Sequence, residues 1–235
     1  MLPELGHFAL ILALLLAAAQ AFYGLLGPAL GRERWMAVVG PAVGAQFVMI
    51  TAAMASLIVA FLQNDFSVAY VAQNSNSALP LVYRVAALWG AHDGSLVLWP
   101  WLLAAWALAV ALLSRQLPAR FAARVLGVLG LVSIGFLLFT LATSNPFERL
   151  FPAPPDGRDL NPLLQDPALA AHPPMLYAGY VGFSVAFAFA CAAMLEGRLD
   201  QAWARWKRPW TTVAWAFLTV GIGLGLEGVR VDESV

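Results

Sequence analysis

Chemistry has few places to reside in this sequence. Of its 235 residues three are histidine, His7, His92 and His172, and one is cysteine, Cys191. A single cysteine inside an apolar run excludes an intrachain disulfide and a CxxC thiol site, and reads as a small buried hydrophobe. Two clusters remain. The first is Trp89-Gly90-Ala91-His92-Asp93-Gly94-Ser95, at the start of an apolar stretch that also holds Trp99, Trp101 and Trp106. Asp93 or Ser95 suits a helix cap, because free N–H groups there need an acceptor. His92 beside Asp93 could carry a proton or ligate, but adjacent helical residues do not face each other, so metal binding by this pair alone is not expected. The second is Ala171-His172-Pro173-Pro174, where the chain returns to an apolar stretch. Pro173 favours an extended backbone at His172, and proline suits the first turn of a helix. An imidazole held at such a rim suits an axial ligand to haem iron. A polar residue at a water boundary would look the same. Arg158 and Asp159 read as a loop-stabilising pair or as solvent-exposed charges rather than catalytic groups.

The elements that position these clusters are apolar and long. Hydrophobic residues make up 61% of the chain and charged residues 11%, with mean hydropathy +0.77; soluble domains carry roughly 25% charged residues. Six stretches are long enough to cross a bilayer, Phe8–Leu26, Val38–Leu62, Ser95–Leu113, Val125–Thr143, Met175–Leu195 and Thr211–Leu226. None has a charged residue in its body, which tells against a transporter with ionisable groups at the midplane. The fold class is therefore all-α, a polytopic transmembrane helix bundle of about six spans. The Trp residues at its boundaries read as anchors in the aromatic belt. The net charge is zero, which gives no pull toward nucleic acid.

The connections alternate. Gly31–Ala37, Ser114–Arg124 and Glu196–Pro209 are short and basic, with Arg32, Arg34, Arg115, Arg120, Arg124, Arg198, Arg205, Lys207 and Arg208. Gln63–Gly94 and Ser144–Pro174 are longer and hold only Arg84, Arg149 and Arg158. The positive-inside rule makes the short connections cytoplasmic, so the N-terminus and both long loops face the periplasm. No basic residue precedes the first stretch, which reads as a true span and not as a signal peptide. Leu79–Ala91, apolar with a single Arg84, reads as a helix at the membrane interface.

The stretches Pro3–Phe8, Tyr70-Val71-Ala72-Gln73-Asn74-Ser75-Asn76, Trp89–Leu96, Thr143–Phe147, Gly157–Pro167 and His172–Gly182 resemble the CcmF family of cytochrome c-type biogenesis proteins, in order and up to about Gly225. The resemblance implies a haem lyase subunit in the bacterial inner membrane. It implies transfer of haem b from the periplasmic haem chaperone CcmE to the CxxCH cysteines of apocytochrome c, alongside a CcmH-type thiol-reducing subunit. It makes His172 a haem axial ligand and puts His92, Asp93 and Trp89 near the haem or a partner surface, although the family pattern carries Glu where this chain has Asp93. Residues 226–235 resemble nothing in the family. The Trp-rich segment of the family, its second periplasmic haem histidine and the ligands of its structural haem do not occur in these residues. Residues 1–225 are thus expected to be the N-terminal membrane part of such a protein, cut short by an early stop, a frameshift or a natural split, and inactive alone. The alternative is a non-catalytic scaffold that docks maturation partners.

Overall fold

The computed structural model describes residues 1–197 and 200–232, and the backbone alone of residues 163 and 228–232. Six long helices carry the architecture: α1 (Leu2–Ala29), α2 (Glu33–Leu62), α5 (His92–Leu113), α6 (Ala119–Thr143), α7 (Pro167–Glu196) and α8 (Gln201–Asp232). Two short helices, α3 (Ala69–Asn74) and α4 (Leu81–Ala86), lie between α2 and α5. Among the described residues no strand occurs, and the one β-bridge joins Val68 to Arg149. Each of the six expected spans falls inside one of the long helices. Every helix begins several residues before its apolar stretch, because polar residues at a helix end stay solvated without breaking the ladder. Arg120, Arg124, Arg205, Lys207 and Arg208 are accordingly helical and not in loops. Arg198 and residues 233–235 of the tail lie outside the described residues, whereas the backbone of 226–232 continues α8.

Successive long helices run antiparallel. α1 packs on α2 and α6, α2 on α5, and α7 on α5, α6 and α8. One core cluster gathers Leu10, Ile50, Leu57, Phe61, Leu88 and Val97, and a second gathers Val43, Leu103, Phe121, Leu129 and Phe189. Without a hydrophobic drive between helices in lipid, close backbone approach does the holding. A Cβ on Gly24 would press into Gly127 of α6, and one on Gly221 would press into Leu176 of α7. α8 rests mainly on α7 and leaves Val213, Trp215, Val220, Ile222 and Leu226 exposed.

This topology puts the N-terminus and both long loops at one end and the short basic connections at the other. The start of α1, α5 and α7 and the ends of α2, α6 and α8 meet there, so His7, His92 and His172 share one end of the bundle. Trp99, Trp101 and Trp106 each find a partner inside the bundle. Trp101 Nε1 donates to Thr51 Oγ1 at 3.1 Å and Trp106 Nε1 donates to the Ala178 carbonyl at 3.0 Å. Trp99 packs edge-on against Tyr180 and at a tilt against Phe136.

Candidate functional site

The long loops are not separate from the helices; they form one packed layer over them. Val68, Tyr70, Leu79, Leu88, Phe147 and Leu160 join the same core as Phe61 and Val97. The loops also pair with each other. Ala69 N donates to Glu148 O and Leu150 N to Ser67 O, each at 2.8 Å. Arg149 bridges Asp65 and Glu4 at 3.1 Å each, and its Nη1 donates to Ser67 Oγ at 2.6 Å. Burial alone would raise the Asp65 carboxyl, but hydrogen bonds from Ser67 and Arg149 outweigh it and hold it below its ordinary value. Asp156 is lowered by donors from Ser77 and the Gly157 backbone. Asp159 accepts from Asn76, and Arg158 N donates to Ala72 O at 2.8 Å. Both are exposed, and each ties to the first loop, Asp159 by its carboxylate and Arg158 by its backbone N–H. Among the described residues they are not an ion pair with each other.

Tyr70 organises the approach to α5. Its ring is buried against Phe61, and its hydroxyl lies 2.9 Å from the Leu88 carbonyl, with Ala87 O at 3.2 Å and Ala91 O at 3.3 Å. Ala91 N donates back to the phenol oxygen at 3.3 Å. Burial pushes the Tyr70 hydroxyl far above its ordinary pKa, so it remains a donor. The expected interfacial helix becomes α4 plus a 3-10 turn, Ala87–Trp89, ended by Gly90. Its Leu81 and Val82 face outward while Ala86–Leu88 are buried. Neither Asp93 nor Ser95 caps α5. The N-cap position is Ala91, without a side-chain cap, and Ser95 Oγ donates to Trp89 O at 2.9 Å. The tight fold-back explains this, because a Cβ on Gly94 would overlap the Leu88 carbonyl.

α7 begins earlier than the Pro173 rule implies. Asp166 Oδ1 accepts from Ala168 N at 2.8 Å and Leu169 N at 2.9 Å, and Pro167 takes the first helical position. His172, Pro173 and Pro174 therefore lie in the second turn with helical backbone, not in an extended lead-in. Proline at that depth strips a donor from the carbonyl four residues back. For Pro174 that carbonyl is Ala170 O, and Trp89 Nε1 donates to it at 2.8 Å. The Trp89 cluster and the His172 cluster are thus directly joined.

His172 Nδ1 lies 2.6 Å from the Gly221 carbonyl of α8. A carbonyl only accepts, so Nδ1 carries a proton, and in the neutral imidazole Nε2 then keeps its lone pair. An imidazole oriented in this way is a competent metal ligand, since the second nitrogen of a ligating histidine ordinarily donates to a carbonyl or carboxylate. His92 is largely exposed, with Nδ1 3.1 Å from Ser144 Oγ and 3.4 Å from Asp93 Oδ1. These neighbours are the first two residues of α5. His7 Nδ1 meets Asn145 Oδ1 at 3.3 Å. Adjacent residues Ser144 and Asn145 thus touch two of the three imidazoles. Among the described residues no group of three or more His, Cys, Asp or Glu could hold a metal ion. Sequence reasoning missed Tyr70, Ser144, Asn145 and Gly221 as site partners, and the Asp166-Pro167 pair was the available signal for the start of α7.

Fold and site together define a multi-pass helical membrane protein with its polar chemistry gathered in one loop layer. Residues 89–227 match the profile of the family described as cytochrome C assembly protein, and the chain belongs to that family. The cytochrome c-type biogenesis protein CcmF of Pseudomonas aeruginosa is 62% identical over 226 residues, which cover 96% of this chain and 34% of the relative. CcmF of Escherichia coli is 56% identical, over 96% of this chain and 35% of the relative. A solved structure titled cytochrome c heme lyase CcmF superposes with TM-score 0.83 at 32% identity, covering 94% of this chain and 35% of its own. The chain spans about a third of the length of the curated relatives it matches.

Proposed function

We propose that this chain supplies the membrane part that carries one axial haem ligand in a haem lyase of cytochrome c maturation. His172 is that ligand and haem b is the substrate. The observation that carries the reading is the 2.6 Å contact from His172 Nδ1 to Gly221 O, which leaves Nε2 as the iron-binding nitrogen. Trp89 fixes the turn that bears His172, through Ala170. His92 and Asp93 lie toward the surface that receives partners. Those partners are a CcmE-type haem chaperone, a CcmH-type thiol-reducing subunit and apocytochrome c. The loop layer then faces the periplasm across the inner membrane, and the basic short connections face the cytoplasm. The names of the relatives favour this over a docking scaffold without catalysis.

The test is a chimera in which this chain replaces the corresponding third of the Pseudomonas aeruginosa relative, in cells lacking their own copy. Haem-stained cytochrome c should form, and should fall at least about tenfold with His172→Ala, because axial ligation is lost. Unchanged cytochrome c with His172→Ala would sink the ligand role and leave the scaffold.

A further inference from the structure

At the end of the bundle opposite the histidines, a cavity of about 590 Å³ opens between α5, α7 and α8. Its walls are mostly apolar and include Trp106, Trp210 and Phe217, with the buried Ser114 and the exposed Gln116 and Arg205 as its polar lining. Arg205 is exposed, and among the described residues nothing pairs with it. Of the neighbouring cations, Lys207 lies over the Trp203 ring, Arg124 pairs with Glu196 and Arg120 donates to Pro28 O, while Arg115 and Arg208 are exposed and stand outside the lining, which Arg205 alone supplies with a charge among the described residues. The lining of α8 runs from Arg205 to Phe217. That is about 18 Å of helix, comparable to one leaflet of a hydrocarbon core about 30 Å thick. A groove one leaflet deep, apolar along its length and cationic at its mouth, matches one lipid, whereas a spanning helix of about 20 residues would need a face of full bilayer length.

We infer that this groove binds an anionic phospholipid of the leaflet at the basic end, with its phosphate at Arg205 and an acyl chain along Trp106, Trp210 and Phe217. Basic pockets between transmembrane helices hold such head groups. The site is independent of the haem reading.

The test is native mass spectrometry of the full chain in detergent, with equal phosphatidylglycerol and phosphatidylcholine. Phosphatidylglycerol adducts should exceed phosphatidylcholine adducts about fivefold, the value of one basic residue at an anionic surface. Arg205→Gln should abolish the preference, and Ala109→Trp, which fills the groove, should remove both adducts with helix content by circular dichroism unchanged. Arg208→Gln should alter neither. Equal adducts of the two lipids in the parent, or adducts insensitive to Arg205→Gln and Ala109→Trp, would overturn the inference. The same measurement on the chimera described above distinguishes a lipid from a further helix: retained lipid supports the assignment, and its displacement overturns it.

Discussion

Thr140 completes for α5 what Trp89 completes for α7. Its hydroxyl lies 3.0 Å from the carbonyl oxygen of Leu96, the group that Pro100 leaves without a helical donor. Helix-breaking proline is tolerated in a membrane only where a neighbour satisfies the freed carbonyl. Thr140→Val removes that donor at nearly constant shape. The expected loss is about 1 kcal/mol, because the same hydroxyl also lies 2.9 Å from Phe136 O and is shared. Thermal denaturation in micelles measures it, and adding Pro100→Ala should cancel most of the loss.

Trp89→Phe removes the Nε1 donor to Ala170 O and shrinks the indole to a phenyl ring. It should cost about 1–2 kcal/mol, the penalty of a buried carbonyl left unmet. Pro174→Ala returns a backbone N–H to the same carbonyl, so in that background Trp89→Phe should cost only the packing lost with the smaller ring. A four-protein cycle measures the coupling. Equal penalties in both backgrounds would mean that Trp89 acts through packing alone.

The spans were legible because apolar length is a direct consequence of the solvent they cross, and Val38–Leu62 ends where α2 ends. The common end for His92 and His172 was legible too, since alternating spans place both long loops together. The start of α7 was not read correctly. Pro173 dominated that reading, although the Asp166 carboxylate and Pro167 form an ordinary cap two turns' reach before it. The partners Tyr70, Ser144 and Gly221 could not be read at all. Each acts across elements 17 or more residues apart, as with Tyr70 and Ala87 or His172 and Gly221, and no local period encodes such pairs. Asp93 and Ser95 satisfied every local rule for a cap, yet the fold-back imposed by Gly94 and Tyr70 overrode it.

That fold-back makes Gly94→Ala a severe change. Its Cβ would overlap the Leu88 carbonyl and reach 2.6 Å from Tyr70 OH, and backbone cannot yield as a flexible side chain does. The expected loss is about 3 kcal/mol or more, enough to expose the loop layer to protease. Gly44→Ala is the control, since nothing lies within 4 Å of its Cβ. It should remain within about 1 kcal/mol of the parent. Protease-resistant yield of the two variants decides the matter, and similar yields would contradict the tight approach.

Asp65 makes the loop layer sensitive to acid. Its folded pKa lies below the unfolded one, held there by Ser67 and Arg149 against the opposing effect of burial. Stability from such a group is present above the unfolded value, near about 3.9, and is lost as pH falls through the lower folded value. The melting midpoint of the parent should therefore fall more steeply between about pH 5 and pH 3 than that of Asp65→Asn, the range spanning that carboxylate. Parallel curves for the two proteins would show that the Arg149 network adds no pH-dependent stability.

The orientation of His172 is open to a test that spares the ligand itself. A Cβ on Gly225 would come within 2.8 Å of the His172 ring, whereas nothing lies within 4 Å of a Cβ on Gly223. The ring is the end of a rotatable side chain and can give way, so Gly225→Ala should cost less than about 1 kcal/mol of stability. Moving the ring draws Nδ1 away from Gly221 O, which frees the imidazole to carry its proton on either nitrogen and to turn. In the chimera, Gly225→Ala should then lower haem-stained cytochrome c by about tenfold, in the range for loss of an outer hydrogen bond to a ligating histidine, while Gly223→Ala leaves it unchanged. The split between stability and maturation is the informative result, because a purely structural role for His172 predicts that both variants mature cytochrome c as the parent does.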